Sequence, residues 1–279
     1  MPAMDGTSPA PNASPPTAPT GTRAVPPVDR ALLDEAVDLV RRAGELTLRW
    51  FRSSTLEIDR KGDGTPVTEA DRAAERFLRE AIAAQHPDDT IVGEEEETHT
   101  GTSRQTWIID PIDGTKAFTH GVALYTNLLA INDAHGPAVG VINMPALGET
   151  VYAGRGLGCF FNGEPARVSS HDSLTKAHIS TSSFGNWRDD QLLRLRAAHA
   201  NLRTWGDGYG YALVATGRVE AMVDAEVALW DVAPMPIILR EAGGRFTNWD
   251  GTEDPAGGSG LATNGHLHDE LLASLLAPP

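Results

Sequence analysis

Trp107-Ile108-Ile109-Asp110-Pro111-Ile112-Asp113-Gly114-Thr115-Lys116 carries an apolar run straight into a pair of carboxylates. The large apolar residues read as a buried strand, so Asp110 and Asp113 fall at a strand end. Pro111 between the acids and Gly114 after them predict a tight turn that aims both side chains at one point. The next residues are suited to open a helix whose free N–H groups face that point. Carboxylates beside anion-seeking amides make chemical sense when divalent cations lie between them and a phosphate.

Upstream, Leu32, Leu33, Ala36, Val37, Val40, Ala43, Leu46 and Leu48 predict a helix from Asp29 to about Phe51, with Asp29 as its cap. After a Gly- and Pro-bearing loop, Thr68 caps a second helix, Glu69 to about Gln85, whose first turn contains Asp71. Thr90-Ile91-Val92 reads as a strand ending in Gly93-Glu94-Glu95. Downstream, strands at Leu128–Ile131, Val139–Ile142, Thr150–Ala153 and Cys159–Phe161 form a meander. A strand is expected at Ala177–Thr181, a helix at Tyr209–Thr216 and a strand at Ala221–Val223. A helix over Asp231–Ala242, a strand at Arg245–Thr247 and a closing helix over His266–Leu276 complete the pattern. The mixture predicts a layered α/β or α+β fold.

Composition narrows the function. A chain of 279 residues buries a sizeable core. A formal charge of −15 argues against a nucleic-acid backbone or an anionic membrane as partner. Small phosphorylated molecules stay open, because bound cations reverse the field locally. The single cysteine, Cys159, allows no intrachain disulfide, and cytoplasmic residence is the default expectation. Residues 1–28, rich in Pro, Ala, Thr and Ser, read as a disordered extension before a catalytic domain over 29–279.

Four acidic segments share a setting at a strand end or helix start: Asp71, Glu94-Glu95, Asp110 with Asp113, and Asp231 in Trp230-Asp231-Val232-Ala233. Singly, each has a plain structural reading as a helix cap or a solvated acidic run. Gathered without cations they would repel one another and resist desolvation, whereas hard divalent ions remove the conflict. In order and spacing the segments resemble the inositol monophosphatase family. Its signature W-x-[IV]-D-P-[IL]-D-G-T is matched by Trp107 to Thr115, and its W-D-x-A by Trp230 to Ala233.

The resemblance, over about residues 29–279, implies an α-β-α-β-α sugar-phosphatase fold, a Mg²⁺-dependent phosphomonoesterase and a homodimer. By position, Glu94, Asp110 and the Ile112 carbonyl would hold one Mg²⁺. Asp110, Asp113 and Asp231 would hold a second. A third ion near Glu94 is compatible, and Mn²⁺ is a substitute. Asp71 accepts from the Thr115 hydroxyl, which orients and deprotonates the attacking water, and the amides of Gly114 and Thr115 hold phosphate oxygens. The presence of both Asp71 and Thr115 speaks against a catalytically silent metal-binding relative. Lys61 matches a loop lysine near the metals.

For the substrate, the second half of the chain discriminates. Asp207, Asp224 and Glu226 are acidic where inositol enzymes bring one glutamate to sugar hydroxyls, and Trp205, Tyr209 and Tyr211 are near in sequence. An anionic, aromatic leaving-group pocket suits a cationic imidazole-bearing amine. Asp207 as a helix cap, and Asp224 and Glu226 as a solvated strand edge, are the plain alternatives. The stretch from Arg203 to Tyr211 and Glu241-Ala242-Gly243-Gly244 resemble the histidinol-phosphatase branch, with Arg203 a candidate substrate contact. L-Histidinol phosphate is therefore the expected substrate. Inositol 1-phosphate is the alternative, and adenosine 3′,5′-bisphosphate ranks third.

Overall fold

The structure, a computed structural model, describes residues 25–278 apart from 61 and 63. Residues 1–24 of the expected extension, and Lys61, lie outside the described residues. At the near end of that extension, Arg155 donates from Nε to the Pro26 carbonyl at 2.9 Å, and the Val28 N–H donates to the Arg155 carbonyl.

Helix α1 (Arg30–Thr47) starts where Asp29 accepts the Ala31 N–H at 2.9 Å, and it buries Leu33, Ala36, Val37, Val40 and Ala43. A short ribbon, β1 (Ile58–Arg60) against β2 (Pro66–Thr68), leads into α2 (Glu69–Gln85). Thr68 and Asp71 form a capping box there: the Thr68 hydroxyl accepts from Ala70 N–H, and Asp71 accepts from Thr68 N–H at 2.8 Å.

Strands β3 (Thr90–Gly93) and β4 (Thr106–Asp113) are parallel, and the five-residue α3 (Thr115–Thr119) follows them. The meander β5 (Thr126–Asp133), β6 (Gly136–Met144), β7 (Glu149–Gly154), β8 (Gly158–Phe161) and β9 (Glu164–Pro165) extends the sheet antiparallel to seven strands. β10 (His178–Ser180), α4 (Asp189–Ala197), β11 (Asn201–Arg203), α5 (Asp207–Ala215) and β12 (Ala221–Asp224) come next, then α6 (Leu229–Val232) and α7 (Met235–Ala242). β13 (Arg245–Thr247), β14 (Gly260–Thr263) and α8 (His268–Leu276) close the chain. The second sheet has the order β11-β10-β12-β14-β13.

Burial defines the layers. α1 and α2 bury Leu33, Leu39 and Leu78 on one face of the large sheet, against Leu129, Ile131 and Val141. α5 and α7 lie between the sheets, with Leu213, Ile237 and Ile238 packed on Ile142 and Val151 from one and Met222 and Phe246 from the other. Leu195 of α4 and Leu271 and Leu275 of α8 cover the outer face of the small sheet. The result is the expected α-β-α-β-α stack, with Cys159 buried in the middle core and its thiol pushed up to about 12 by that burial.

Two expectations change. The helix expected over Asp231–Ala242 is two helices, because Pro234 and Pro236 lack the N–H groups that would carry α6 unbroken into α7. β4 does not turn at Asp110; it stays paired with β5 through Asp113, with a register shift between the two acids.

Candidate active site

The cleft at the end of β4 is assembled from four backbone segments. On β4, Asp110 pairs with Leu128 and Asp113 with Thr126, so Pro111 and Ile112 together face the single residue Asn127. That is a β-bulge, which re-aims side chains where regular alternation would send Asp110 and Asp113 to opposite faces. Asp110 Oδ1 accepts the Ile112 N–H at 3.1 Å, closing the loop of the bulge on itself. Gly114 then reverses the chain at φ +79°, and a side-chain carbon there would come within 2.8 Å of Asp207 Oδ2. Only glycine satisfies both demands.

Asp231 stands in the first turn of α6, where one of its oxygens accepts the Ala228 N–H at 2.8 Å. Asp113 Oδ2 accepts from the Thr126 hydroxyl at 2.7 Å and from the Gly208 N–H at the start of α5. Asp110, Asp113 and Asp231 each present an oxygen such that all three lie within 4.8 Å of one another. Glu94, Ile112, Gly114, Thr115 and Asp207 line the same cleft.

Electrostatics mark this cluster as incomplete without positive charge. Burial first, and then the charges of Glu94, Asp113 and Asp231, push the Asp110 carboxyl well above its ordinary range. Asp113 is raised in the same way, by burial and then by Asp207 and Asp231, against the donors Gly208 and Thr126. Burial carries Asp231 up to about 7.

Asp71 Oδ2 is taken by the N–H and hydroxyl of Thr68, while Oδ1, fully buried, has no partner among the described residues. Burial raises this carboxyl to about 6. The Asp71–Thr115 hydrogen bond expected from the resemblance is not formed. Thr115 donates to the Ile112 carbonyl at 3.1 Å, and Asp71 accepts instead from its own helix cap, Thr68.

Asp207 sits in the left-handed region at φ +54° and donates its N–H to the Ser182 hydroxyl at 2.8 Å. It is the first residue of α5, so no cap role accounts for its carboxylate at the cleft.

Asp224 and Arg203 are not among the residues lining the cleft. The Asp224 carboxylate is fully engaged, accepting from Ser182 N–H, the Thr181 and Ser182 hydroxyls and Tyr211 OH. Ser182 links it to Asp207, whose N–H the Ser182 hydroxyl accepts. Arg203 donates to the Leu202 carbonyl and stacks over Trp205. Among the described residues no aromatic side chain lines the cleft: Trp205 and Tyr209 face a neighbouring hollow with Leu124 and Leu213, and Tyr211 is buried. The cleft is lined instead by Ser182, Ser183, Asn186 and Glu226. The loop carrying the serines and Asn186 has no motif, and only the pairing of β10 beside β12 brings it there.

Comparison with known proteins adds four findings. The sequence model of the Inositol monophosphatase family matches residues 29–277. A histidinol-phosphatase of Mycobacterium tuberculosis is 42% identical over 251 residues, covering 87% of this chain and 96% of that protein. A fructose-1,6-bisphosphatase/inositol-1-monophosphatase of Thermotoga maritima is 37% identical, with 86% and 94% covered. Among solved structures, the extragenic suppressor protein suhB of Bartonella henselae superposes with a TM-score of 0.83 at 28% identity, over 89% of this chain and 100% of that one.

Proposed function

The chain belongs to the inositol monophosphatase family of phosphoric monoester hydrolases, and we propose that it hydrolyses L-histidinol phosphate to L-histidinol and phosphate, using Mg²⁺. The observation that carries the substrate assignment is the acid that remains once a cation set has been assigned. Beyond Glu94, Asp110, Asp113 and Asp231, the cleft holds Asp207, whose charge Lys116 offsets from the same cleft, and Glu226. A neutral polyol leaves the Glu226 carboxylate without a counter-charge, whereas an ammonium group pairs with it. The identity to histidinol-phosphatases points the same way.

In this reading Glu94, Asp110, Asp113, Asp231 and the Ile112 carbonyl hold two or three Mg²⁺, with Mn²⁺ a substitute. When bound, these ions neutralise the phosphate and lower the pKa of the attacking water. The chain's own residues do the rest. The N–H groups of Gly114 and Thr115 orient phosphate oxygens. Thr115 turns its hydroxyl from the Ile112 carbonyl to donate to the free oxygen of Asp71, and as that proton passes to Asp71 the threonine oxygen takes the proton of the attacking water. Glu226 and Asp207 receive the cationic leaving group. A homodimer in the cytoplasm, and a catalytic domain beginning near residue 29, belong to the same proposal.

Inositol 1-phosphate is the second reading, favoured by the Thermotoga relative. Turnover of the purified protein with Mg²⁺ separates the two. We expect kcat/KM for histidinol phosphate to exceed that for myo-inositol 1-phosphate by about tenfold or more, since one desolvated charge pair is worth that much. A tenfold preference for the inositol ester overturns the assignment.

A further inference from the structure

The bulge that aims Asp110 and Asp113 is braced by side chains. Pro111 has no N–H, Ile112 N–H is satisfied by Asp110, and the Ile112 carbonyl by Thr115. The Pro111 carbonyl is buried where the ladder shifts register, with Pro111 and Ile112 facing one partner residue. Asn127, the residue opposite the bulge, donates to that carbonyl from its side chain, with Nδ2 2.6 Å away.

Asn127 is not alone. Asn143 is its cross-strand neighbour on β6, and Thr150 is the neighbour of Asn143 on β7. Asn143 Nδ2 donates to Asn127 Oδ1 at 3.0 Å, the Thr150 hydroxyl donates to Asn143 Oδ1 at 3.0 Å, and Arg41 Nε of α1 donates to the Thr150 hydroxyl at 3.2 Å. Chemistry fixes the direction. A carbonyl only accepts, so Asn127 must turn its amide nitrogen toward Pro111, and each further group then has one role left. Asn127, Asn143 and Thr150 are buried on the sheet face that otherwise presents Leu129, Val141 and Tyr152 to α1. A polar row there is costly unless every member is satisfied. α1 closes over the row at Gly44, where a side-chain carbon would come within 2.4 Å of Asn143 Nδ2 and 2.7 Å of Asn127 Oδ1.

We propose that Asn127 is a positioning residue for the cation-holding carboxylates, held in place by a relay that runs through Asn143 and Thr150 to Arg41 on α1. The proposal rests on the reading of Asp110, Asp113 and Asp231 as a cation site. Asn127 touches neither substrate nor cation. It keeps the Pro111 carbonyl fixed, and with it the spacing between Asp110 and Asp113.

Mn²⁺ titrated into the substrate-free protein and followed by electron paramagnetic resonance tests this, with thermal midpoints measured in chelator. Asn127→Leu removes the donor at similar size. Gly44→Ala intrudes from the helix side without deleting a polar group. The expected result is a Mn²⁺ Kd about tenfold weaker in Asn127→Leu, the scale of losing a group that orients metal ligands, and weaker by a smaller factor in Gly44→Ala. A Kd within twofold of the parent in Asn127→Leu, with only the midpoint lowered, makes Asn127 merely structural and overturns the proposal. Should Asn127→Leu fail to fold, an unchanged Kd in Gly44→Ala overturns it. If the parent binds no Mn²⁺, or Asp110→Asn binds it as the parent does, the cation site itself falls, and this inference with it.

Discussion

Asp110→Asn is expected to lower kcat/KM by about a thousandfold or more while leaving the fold intact, the size expected when a group central to transition-state charge is removed. Asp110 feels the charge of three other acids, Glu94, Asp113 and Asp231. Removing its own charge relieves repulsion in chelator, so the variant should melt at or above the parent temperature there. Added Mg²⁺ should raise the parent midpoint and not that of the variant, because only a protein that binds the ion gains from it. The crossing distinguishes a ligand from a structural carboxylate. A variant that keeps within tenfold of parental turnover would remove Asp110 from the site.

Glu226→Gln is expected to weaken kcat/KM for histidinol phosphate about tenfold, mostly through KM, and to leave myo-inositol 1-phosphate within about threefold. The glutamine keeps the shape and can still accept from Asn186, which now donates to Glu226 at 2.6 Å. Only the charge changes. Parallel losses on both substrates would mean that Glu226 shapes the Asn186 loop and does not recognise an amine.

Much of this was legible because local chemistry decides it. Asp29 and Thr68 announce helices at their first turns, and the β5–β8 meander follows from alternating apolar runs separated by turn residues. The pairing of Trp107–Thr115 with Trp230–Ala233 marked the acids that the fold brings together. What escaped depends on contacts between distant segments. Nothing near Asp110 reveals that Pro111 and Ile112 share one partner, because that register is set by β5. Asp224 reads as a pocket acid until Thr181, Ser182 and Tyr211 are seen around it. Trp205 and Tyr209 neighbour Asp207 in sequence, yet the turn into α5 sends them to another surface. Asn127 and Asn143 look like interruptions of apolar strands until the bulge supplies the reason for them.

The central claim is that carboxylates from β4 and α6 converge, with Glu94, on hard cations. Anomalous diffraction from a crystal soaked in Mn²⁺ tests it most directly. The account predicts strong peaks among Asp110, Asp113, Asp231 and Glu94, with Asp110 shared between neighbouring ions. Peaks elsewhere on the surface and none among these four side chains would contradict it.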